Sequence, residues 1–353
     1  MKVLFVSWRD GVHPNAGGSE LVVDRLIERL IERGHTAALV CGGPVDLAHH
    51  YRVVSAGGTY GQYLRAPFVT RAFKDFDLLV DVANGLPYLS PLWWRGARLC
   101  FFHHVHGDQW HGQFPRAIAE TGWFIERRVM PIVYRNTLFA TGSPSTAQAL
   151  EGLGIARPHI HFVHYGIDDE LLVPPVPTSE EPRFLVLGRI AANKRVDRIL
   201  DAWERVRDTT GGRLVIVGDG PMRAALEARR VRGAEFRGRV SEEEKRTLLG
   251  SAWLLVHAAR HEGWGIAIME AAAQATPTLA FDVDGVRDSV VHGATGALVS
   301  TQAEFEEAWI SLAQDPLRLA TMGAAARSRA MAFTWDRSTD EFLAAATAAI
   351  DRR

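Results

Sequence analysis

The sequence predicts an α/β protein with two doubly wound, Rossmann-like domains, each containing a parallel sheet covered by helices. Three observations lead to this prediction. The chain has 353 residues, which is more than one hydrophobic core usually supports. Short apolar runs rich in β-branched residues alternate with segments of helical period. A proline-rich stretch near mid-chain separates two halves of similar pattern.

The strand candidates are continuous apolar runs, as expected for parallel strands that are buried on both faces. In the first half they are Val3–Ser7, Ala37–Cys41, Tyr51–Val54, Leu78–Val82, Arg98–Phe102, Leu138–Thr141 and Ile160–His164. In the second half they are Arg183–Leu187, Leu214–Val217, Ala234–Phe236, Trp253–Val256 and Thr278–Phe281.

Three segments have the clearest helical period. Glu20–Arg33 ends before Gly34, a residue type that often terminates helices. Lys194–Arg207 is the first helix of the second half. Trp335–Ile350 is a separate terminal helix, which would cross back to the first domain.

The proline-rich segment 174–182 is the predicted linker, because nothing in it is patterned to pack. The predicted domains are therefore 1–173 and 183–333, followed by the terminal helix in 334–353. In doubly wound domains, ligands bind at the carboxyl ends of the strands.

Composition excludes several classes of protein. Apolar residues make up 47% and charged residues 23% of the chain, which argues against disorder. The formal net charge of −1 gives no sign of a nucleic-acid binder. No apolar run approaches a membrane span, and Val3–Val6 is too short for a signal peptide, so a cytoplasmic protein is expected. Cys41 and Cys100 are expected to be buried, reduced thiols.

Two glycine-containing loops stand before helices. In Gly17-Gly18-Ser19-Glu20, the following helix N-terminus could bind an anion, but a plain tight turn explains the glycines equally well. In the second half, Gly188 opens a loop directly after a strand. Arg189 and Lys194 of that loop could clamp a diphosphate, although solvated loop cations are commoner.

The most specific pattern is His261-Glu262-Gly263-Trp264-Gly265 before the predicted helix Ile266–Ala275. Glu270 lies on this otherwise apolar helix and is therefore expected to be buried. A buried carboxylate needs hydrogen-bond donors, which ribose hydroxyls would supply. The N–H groups near Gly265 and Ile266 would meet phosphate.

With these motifs in this order, the chain resembles the retaining GT-B glycosyltransferases of family 4. The resemblance rests on Glu262…Glu270, on Gly188-Arg189…Lys194, on Gly218-Asp219-Gly220-Pro221 and on the Gly17–Glu20 loop. It implies a GT-B fold with an acceptor domain, a donor domain, a cleft between them and a C-terminal crossing helix. It also implies transfer of a sugar from a UDP- or GDP-sugar to a glycan, lipid-linked or small-molecule acceptor, without metal or cofactor.

The resemblance implies roles for individual residues. Arg189 and Lys194 would hold the diphosphate, Glu262 would face the sugar or its leaving group, and Glu270 would bind the ribose. The implied donor site comprises Gly17, Gly18, Gly188, Arg189, Lys194, Gly218, Arg237, Val240, Glu262, Gly265, Ile266 and Glu270. The implied catalytic residues are His103, His104, Glu262, Arg189 and Lys194, and the implied acceptor residues are His106 and Glu20.

Three histidines follow the strand Arg98–Phe102: His103, His104 and His106. Such a cluster suggests zinc at first sight, but Asp108 is the only acidic or cysteine ligand at a plausible spacing. The family is metal-independent, so the resemblance implies instead that His103 or His104 bonds to the reacting sugar. Which of them does so remains open.

The chain departs from the family pattern at three places. Ala258-Ala259 stands where a Pro-Ser pair is usual, and Tyr165-Gly166-Ile167-Asp168 where Asn-Gly-hydrophobic-Asp is usual. A double-glycine turn is replaced by Asp284-Gly285-Val286, with Asp288 in place of Glu. No charge of the diphosphate clamp is lost, but the hydrogen bonding around the donor sugar is put in question.

Two other functions remain open. A sugar-nucleotide epimerase or a phosphorylase could use the same fold. An epimerase would need acid–base residues around the sugar, which the histidine cluster could supply. A non-catalytic sugar-nucleotide-binding module is disfavoured, because Arg189, Lys194, Glu262 and Glu270 are all present.

The segment Arg116–Phe139 mixes arginines with aromatic and aliphatic residues. It is either an amphipathic helix packed on its sheet or a surface that touches anionic lipid at the inner face of the membrane. Core packing would hide Trp123 and Phe124, whereas membrane contact would leave at least one of them exposed.

Overall fold

The computed structural model describes residues 1–13, 16–45, 48–58, 60–113 and 115–352. It divides into two compact units. The first comprises Met1–Gly166 together with the chain from Trp335 onward, and the second comprises Ile167–Thr334. Segment 174–182 lies within the second unit, where the N–H of Ser179 donates to the carbonyl of Ser251 at 3.0 Å.

The first unit contains a seven-stranded sheet in the order β3-β2-β1-β4-β5-β6-β7, with all neighbouring strands parallel. Its central strands are buried almost throughout, which explains their continuous apolar sequences. The strands are β1 Lys2–Ser7, β2 Thr36–Cys41, β3 Arg52–Ser55, β4 Leu78–Asn84, β5 Ala97–His104, β6 Leu138–Thr141 and β7 Ile160–Phe162.

The helices between these strands are α1 Gly18–Glu32, α2 Gln62–Val69, α3 Gln109–Gln113, α4 Arg116–Phe124, α5 Met130–Val133 and α6 Pro144–Gly152. A π-helical turn, Ile125–Val129, joins α4 to α5. The remaining 3₁₀ turns of this unit are Thr70–Phe73, Ser90–Leu92 and Arg157–His159.

The second unit contains a six-stranded parallel sheet in the order β10-β9-β8-β11-β12-β13. Its strands are β8 Arg183–Leu187, β9 Arg213–Val217, β10 Ala234–Gly238, β11 Leu254–His257, β12 Thr278–Phe281 and β13 Gly296–Val299. Its helices are α7 Val196–Thr210, α8 Arg223–Glu227, α9 Glu242–Ser251, α10 Ile266–Ala273, α11 Val286–Ser289, α12 Gln302–Ala313 and α13 Pro316–Ala330, with 3₁₀ turns at Asp169–Leu171 and Ala192–Lys194. The predicted α/β class with parallel sheets is confirmed in both units.

The last helix, α14 (Trp335–Asp351), packs on the first unit, as the sequence predicts. Phe342 stacks on Phe5 of β1 with ring centroids 5.5 Å apart. Arg33, at the end of α1, donates to Asp340 at 2.5 Å. Burial of aromatic rings against the central strand makes α14 part of this unit's core.

Several bounds differ from the predictions by a few residues, and two differences have a clear physical cause. Helix α7 begins at Val196 rather than Lys194, because Arg195 has a left-handed φ of +52° that interrupts the helix. Strand β13 is missing from the predicted set, because its four residues begin with Gly296 and give too short an apolar signal.

Candidate active site

In the second unit, β9 and β10 are added on one side of β8, and β11, β12 and β13 on the other. The strand order therefore reverses between the neighbouring strands β8 and β11. Such a switch point leaves a crevice at the carboxyl ends of the two strands, where ligands bind in doubly wound folds. The loops that follow these strands, 188–194 and 258–265, contact each other there. The N–H of Arg260 donates to the carbonyl of Asn193 at 2.8 Å. The two loops carry Arg189, Lys194 and Glu262, so the fold brings the predicted clamp and the first glutamate together.

Glycine allows two loops to pack backbone against backbone at this edge. Gly218 has a φ of +128°, and a Cβ atom there would lie 1.9 Å from the carbonyl oxygen of Gly188. The N–H of Ile190 donates to the carbonyl of Asp219 at 2.9 Å. A side chain at Gly218 would therefore push loops 188–194 and 218–221 apart.

Glu262 is held by two basic side chains. Its carboxylate forms an ion pair with Nζ of Lys194, and its Oε1 lies 3.0 Å from Nε2 of His257. Burial alone would raise the pKa of Glu262, but Lys194 and His257 outweigh it and hold that pKa well below its usual range. Glu262 is thus a fixed anion beside the glycine loops. Sequence reasoning missed His257; a histidine at the carboxyl end of a buried strand was the available signal.

Glu270 is buried on α10, as the sequence predicts. Its Oε1 accepts a hydrogen bond from Nζ of Lys245 at 2.9 Å, and Lys245 also pairs with Glu242 at 2.5 Å. Burial raises the pKa of Glu270, and Lys245 offsets part of that rise. Burial would lower the pKa of Lys245, but the two carboxylates raise it overall. Lys245 lies outside every motif identified in the sequence.

Helix α10 begins at Ile266, directly after Gly265, whose φ is +83°. The left-handed turn at Gly265 aims the N-terminus of α10 at the same strand edge, and the first N–H groups of a helix attract anions. A Cβ atom on Gly285 would lie 2.3 Å from the carbonyl oxygen of Glu262. The turn Asp284-Gly285-Val286 is one of the departures from the family pattern. Its backbone packs closely against the backbone of Glu262, which leaves no room for a side chain at Gly285.

The remaining predicted donor residues of this unit lie nearer the surface. Arg189 is exposed, and Val240 is half-buried just before Ser241, which caps α9. Arg237 is exposed and donates to Glu235 and Glu244 at 2.6 and 2.8 Å, which raises its pKa. The roles of Arg237 and Val240 toward the base stay predictions.

In the first unit, the Gly17–Glu20 loop forms the start of α1. Glu20 is buried, and its Oε2 accepts the N–H of Gly17 and the hydroxyl of Ser19, both at 2.9 Å. Asn84, at the end of β4, donates to Ser19 at 3.1 Å. Strands β1 and β4 flank the switch point of this sheet, so the loop sits where a ligand is expected. Glu20 has a capping role, and its predicted contact with the acceptor stays a prediction.

His103 is buried at the end of β5. Its Nδ1 lies 2.6 Å from the hydroxyl of Tyr165, while its buried Nε2 has no hydrogen-bond partner among the residues that the structure describes. Burial, aided by the neighbouring His104, lowers the pKa of His103 to about 3. His103 is therefore neutral at ordinary pH, and Tyr165 fixes its orientation.

His104, the last residue of β5, and His106, in the loop that follows, form a stacked pair. Their ring centroids are 4.5 Å apart, and His106 also packs on Trp110. His104 is half-buried and His106 is buried. Among the three histidines, His104 therefore has the most accessible ring, whereas the predicted acceptor contact by His106 stays a prediction.

Glu126 organises this histidine loop, and sequence reasoning missed it. The carboxylate is buried on the π-helical turn and accepts the backbone N–H groups of His106 and Gly107 at 2.7 and 2.9 Å. It also accepts the indole N–H of Trp110 at 3.0 Å. Burial raises the pKa of Glu126, and the three donated hydrogen bonds oppose that rise. A wide π-helical turn is a common way to present a functional side chain.

Within the described ranges, no cluster of three histidine, cysteine or acidic side chains is arranged to hold a metal ion. Within the same ranges, no helix has the length and apolar character needed to cross a bilayer. Cys41 and Cys100 are free and buried, as expected.

Two family models match the chain in succession. The model described as Glycosyltransferase Family 4 matches residues 16–171, and the one described as Glycosyl transferases group 1 matches residues 181–315. A GDP-mannose-dependent alpha-mannosyltransferase from Mycobacterium tuberculosis is 30% identical over 58% of this chain and 55% of its own length. The alpha-D-kanosaminyltransferase of Streptomyces kanamyceticus is 35% identical over 38% of this chain and 34% of its own length. The chain thus spans about half, or less, of these curated relatives.

Solved structures match over nearly the whole chain. A sucrose-phosphate synthase from Thermosynechococcus elongatus has a TM-score of 0.81 at 20% identity, with 97% of both chains covered. Anabaena HepE in complex with UDP-glucose has a TM-score of 0.79 at 18% identity, covering 99% of this chain and all of the other. At such low identities the likeness concerns the fold alone, and it confirms the predicted GT-B fold.

Proposed function

Because the chain belongs to the family 4 glycosyltransferases, we propose that it moves a sugar from a nucleotide-diphosphate donor to an acceptor hydroxyl. The transfer retains the configuration of the sugar and uses no metal ion. The second unit binds the donor, and the first unit supplies the acceptor contacts. Relatives named for GDP-mannose and a neighbour in complex with UDP-glucose support a nucleotide-sugar donor.

One observation carries the proposal: Arg189, Lys194, Glu262 and the N-terminus of α10 surround one switch point. Negative charge grows on the diphosphate as the glycosidic bond breaks. Arg189 and the first N–H groups of α10 stabilise that charge without a metal. Lys194 has three N–H donors, so it can keep its bond to Glu262 and still donate to phosphate.

The sugar gains positive charge as the leaving group departs, and an anion nearby stabilises it. Glu262 supplies a permanent negative charge, because Lys194 and His257 keep its pKa low. In a retaining transfer, the acceptor attacks from the side of the leaving group, and a phosphate oxygen takes its proton. His104 of the first unit is the histidine we assign to the sugar, because its ring is more accessible than that of His103, which is buried with Nδ1 against the hydroxyl of Tyr165.

A panel of nucleotide sugars tests the donor assignment. GDP-mannose and UDP-glucose come first, and thermal unfolding reports binding. A donor at about 100 times its dissociation constant adds roughly 2.7 kcal/mol of stability. Transfer of labelled sugar is then followed with and without EDTA. Loss of transfer in EDTA with rescue by a divalent ion would overturn the metal-free mechanism, and an epimer from donor alone would favour an epimerase.

We propose that the acceptor is linked to a lipid. In this proposal, the helices α2, α4 and α5 of the first unit contact anionic lipid and so bring the protein to its acceptor. Phe124 and Ile132 are 54% and 70% exposed, so a simple core-packing interpretation does not account for them. Leu64 and Phe68 of α2 are 78% and 63% exposed. In residues 60–74 there are three cations and no acidic residue.

Topology supports one common face for these side chains. The chain passes from β3 to β4 through α2, and from β5 to β6 through α4 and α5. Both connections cross the sheet in the same direction, and right-handed crossovers then put them on the same side. Apolar side chains flanked by arginine and lysine suit an interface with anionic lipid.

A further inference from the structure

Lys245 is a half-buried cation that lies outside the motifs of the family resemblance. Its side chain is 14% exposed and reaches from α9 to Glu270 on α10, whose side chain is 10% exposed. The Nζ···Oε1 distance is 2.9 Å. Helix α10 is otherwise apolar at its buried positions, so this contact is a specific feature of the site.

The protonation state of Glu270 decides what it can recognise. An ionised carboxylate only accepts hydrogen bonds, with about four lone-pair directions. One bond from Lys245 leaves capacity for the two hydroxyls of a ribose. A protonated carboxyl group carries a donor of its own and loses much of its strength as an acceptor.

We propose that Lys245 is a positioning residue that sets nucleotide specificity. It keeps Glu270 as an oriented, ionised acceptor, so that the site selects ribonucleotides over deoxyribonucleotides. The inference rests on the proposed function, in which Glu270 meets the donor ribose.

The charges around Glu270 explain why Lys245 is needed. Burial raises the pKa of Glu270, and the negative charges of Glu242 and Asp168 raise it further. Lys245 acts in the opposite direction. A group whose pKa is raised loses its negative charge as pH falls through that pKa. Without Lys245, this loss of charge moves to higher pH.

The test compares Lys245→Met, Lys245→Arg and Arg246→Met, the last removing a cation from the next position of α9. Calorimetry measures the affinities of UDP, GDP and their 2′-deoxy forms across a pH series. The wild type should prefer the ribonucleotide by about tenfold or more, as expected for hydrogen bonds to a charged acceptor. Lys245→Met should weaken this preference, and the loss should be greatest at the acidic end of the series, where Glu270 is most readily protonated. Lys245→Arg and Arg246→Met should keep it.

The outcomes separate the two proposals. If the wild type binds with a ribose preference and Lys245→Met keeps that preference at every pH, the role of Lys245 is wrong while the donor site stands. If the wild type binds no nucleoside diphosphate, the proposed function and this inference both fail. A circular dichroism spectrum of Lys245→Met matching the wild type shows that an altered preference does not come from unfolding.

Discussion

Arg189 and Lys194 are both assigned to the diphosphate, but their surroundings differ. Arg189 is exposed, whereas Lys194 forms an ion pair with the carboxylate of Glu262. Replacing either residue with alanine should weaken nucleoside-diphosphate binding by about 1.5–3 kcal/mol, the usual value of a charge-assisted hydrogen bond. Lys194→Ala should also lower the melting temperature, because it leaves a largely buried anion without its main partner. Calorimetry and thermal unfolding measure the two effects.

Arg205→Ala is the matched control for this pair. Arg205 is 61% exposed on α7 and pairs with Glu306, so its loss should change neither binding nor stability by much. Unchanged affinity in both Arg189→Ala and Lys194→Ala would remove the clamp assignment.

His103 and His104 provide a second prediction at the scale of residues. His103→Ala should lower stability by about 1–3 kcal/mol, because it leaves the buried hydroxyl of Tyr165 without its partner. His104→Ala should leave stability close to that of the wild type and reduce kcat. Urea unfolding and steady-state kinetics measure the two effects. The opposite pattern, with kcat lost only in His103→Ala, would show that the wrong histidine has been assigned to the sugar.

At the scale of elements, the π-helical turn Ile125–Val129 holds the histidine loop through one carboxylate. Glu126→Gln replaces an acceptor of three N–H groups with an amide that has a single acceptor oxygen. We expect a loss of roughly 1–3 kcal/mol in stability and a higher KM for the acceptor. The affinity for nucleotide should change little, because Arg189, Lys194 and Glu270, which are assigned to the diphosphate and the ribose, lie in the second unit. Equal KM values in the variant and the wild type would show that Glu126 only supports the fold.

Elements could be predicted from the sequence where apolar residues recur with the spacing of a strand or a helix. Continuous apolar runs predicted the parallel strands, and apolar residues at helical spacing predicted α1 and α14. The burial of Glu270 was predicted from the apolar residues around it on the same helix. The start of α7 could not be predicted, since nothing in the local pattern demands a left-handed φ at Arg195.

The same limit applies to the candidate site. Loop motifs identified Arg189, Lys194 and Glu262, because these residues lie in the loops that follow β8 and β11. Lys245 and Glu126 lie on helices, and their partners are distant in the sequence. Only tertiary packing brings such pairs together, so no spacing rule could have found them.

At the scale of the whole molecule, the acceptor depends on whether the protein meets a membrane. The exposed side chains of Leu64 and Phe68 form an apolar stripe on α2. With the neighbouring cations, this stripe should bind liposomes that contain anionic lipid. Binding should weaken at high salt, because electrostatic attraction to the surface is screened. Co-sedimentation with neutral and anionic liposomes, at low and high salt, measures this dependence.

A double variant locates the contact. Leu64→Glu with Phe68→Glu puts two negative charges on the exposed stripe of α2 and should abolish binding to anionic liposomes. Leu317→Glu is the matched control, because Leu317 is 79% exposed on a helix of the second unit. The control should bind like the wild type, and both variants should bind nucleotide normally. If the wild type does not sediment with anionic liposomes even at low salt, the lipid surface is excluded and a soluble acceptor is favoured, since electrostatic docking is strongest under that condition.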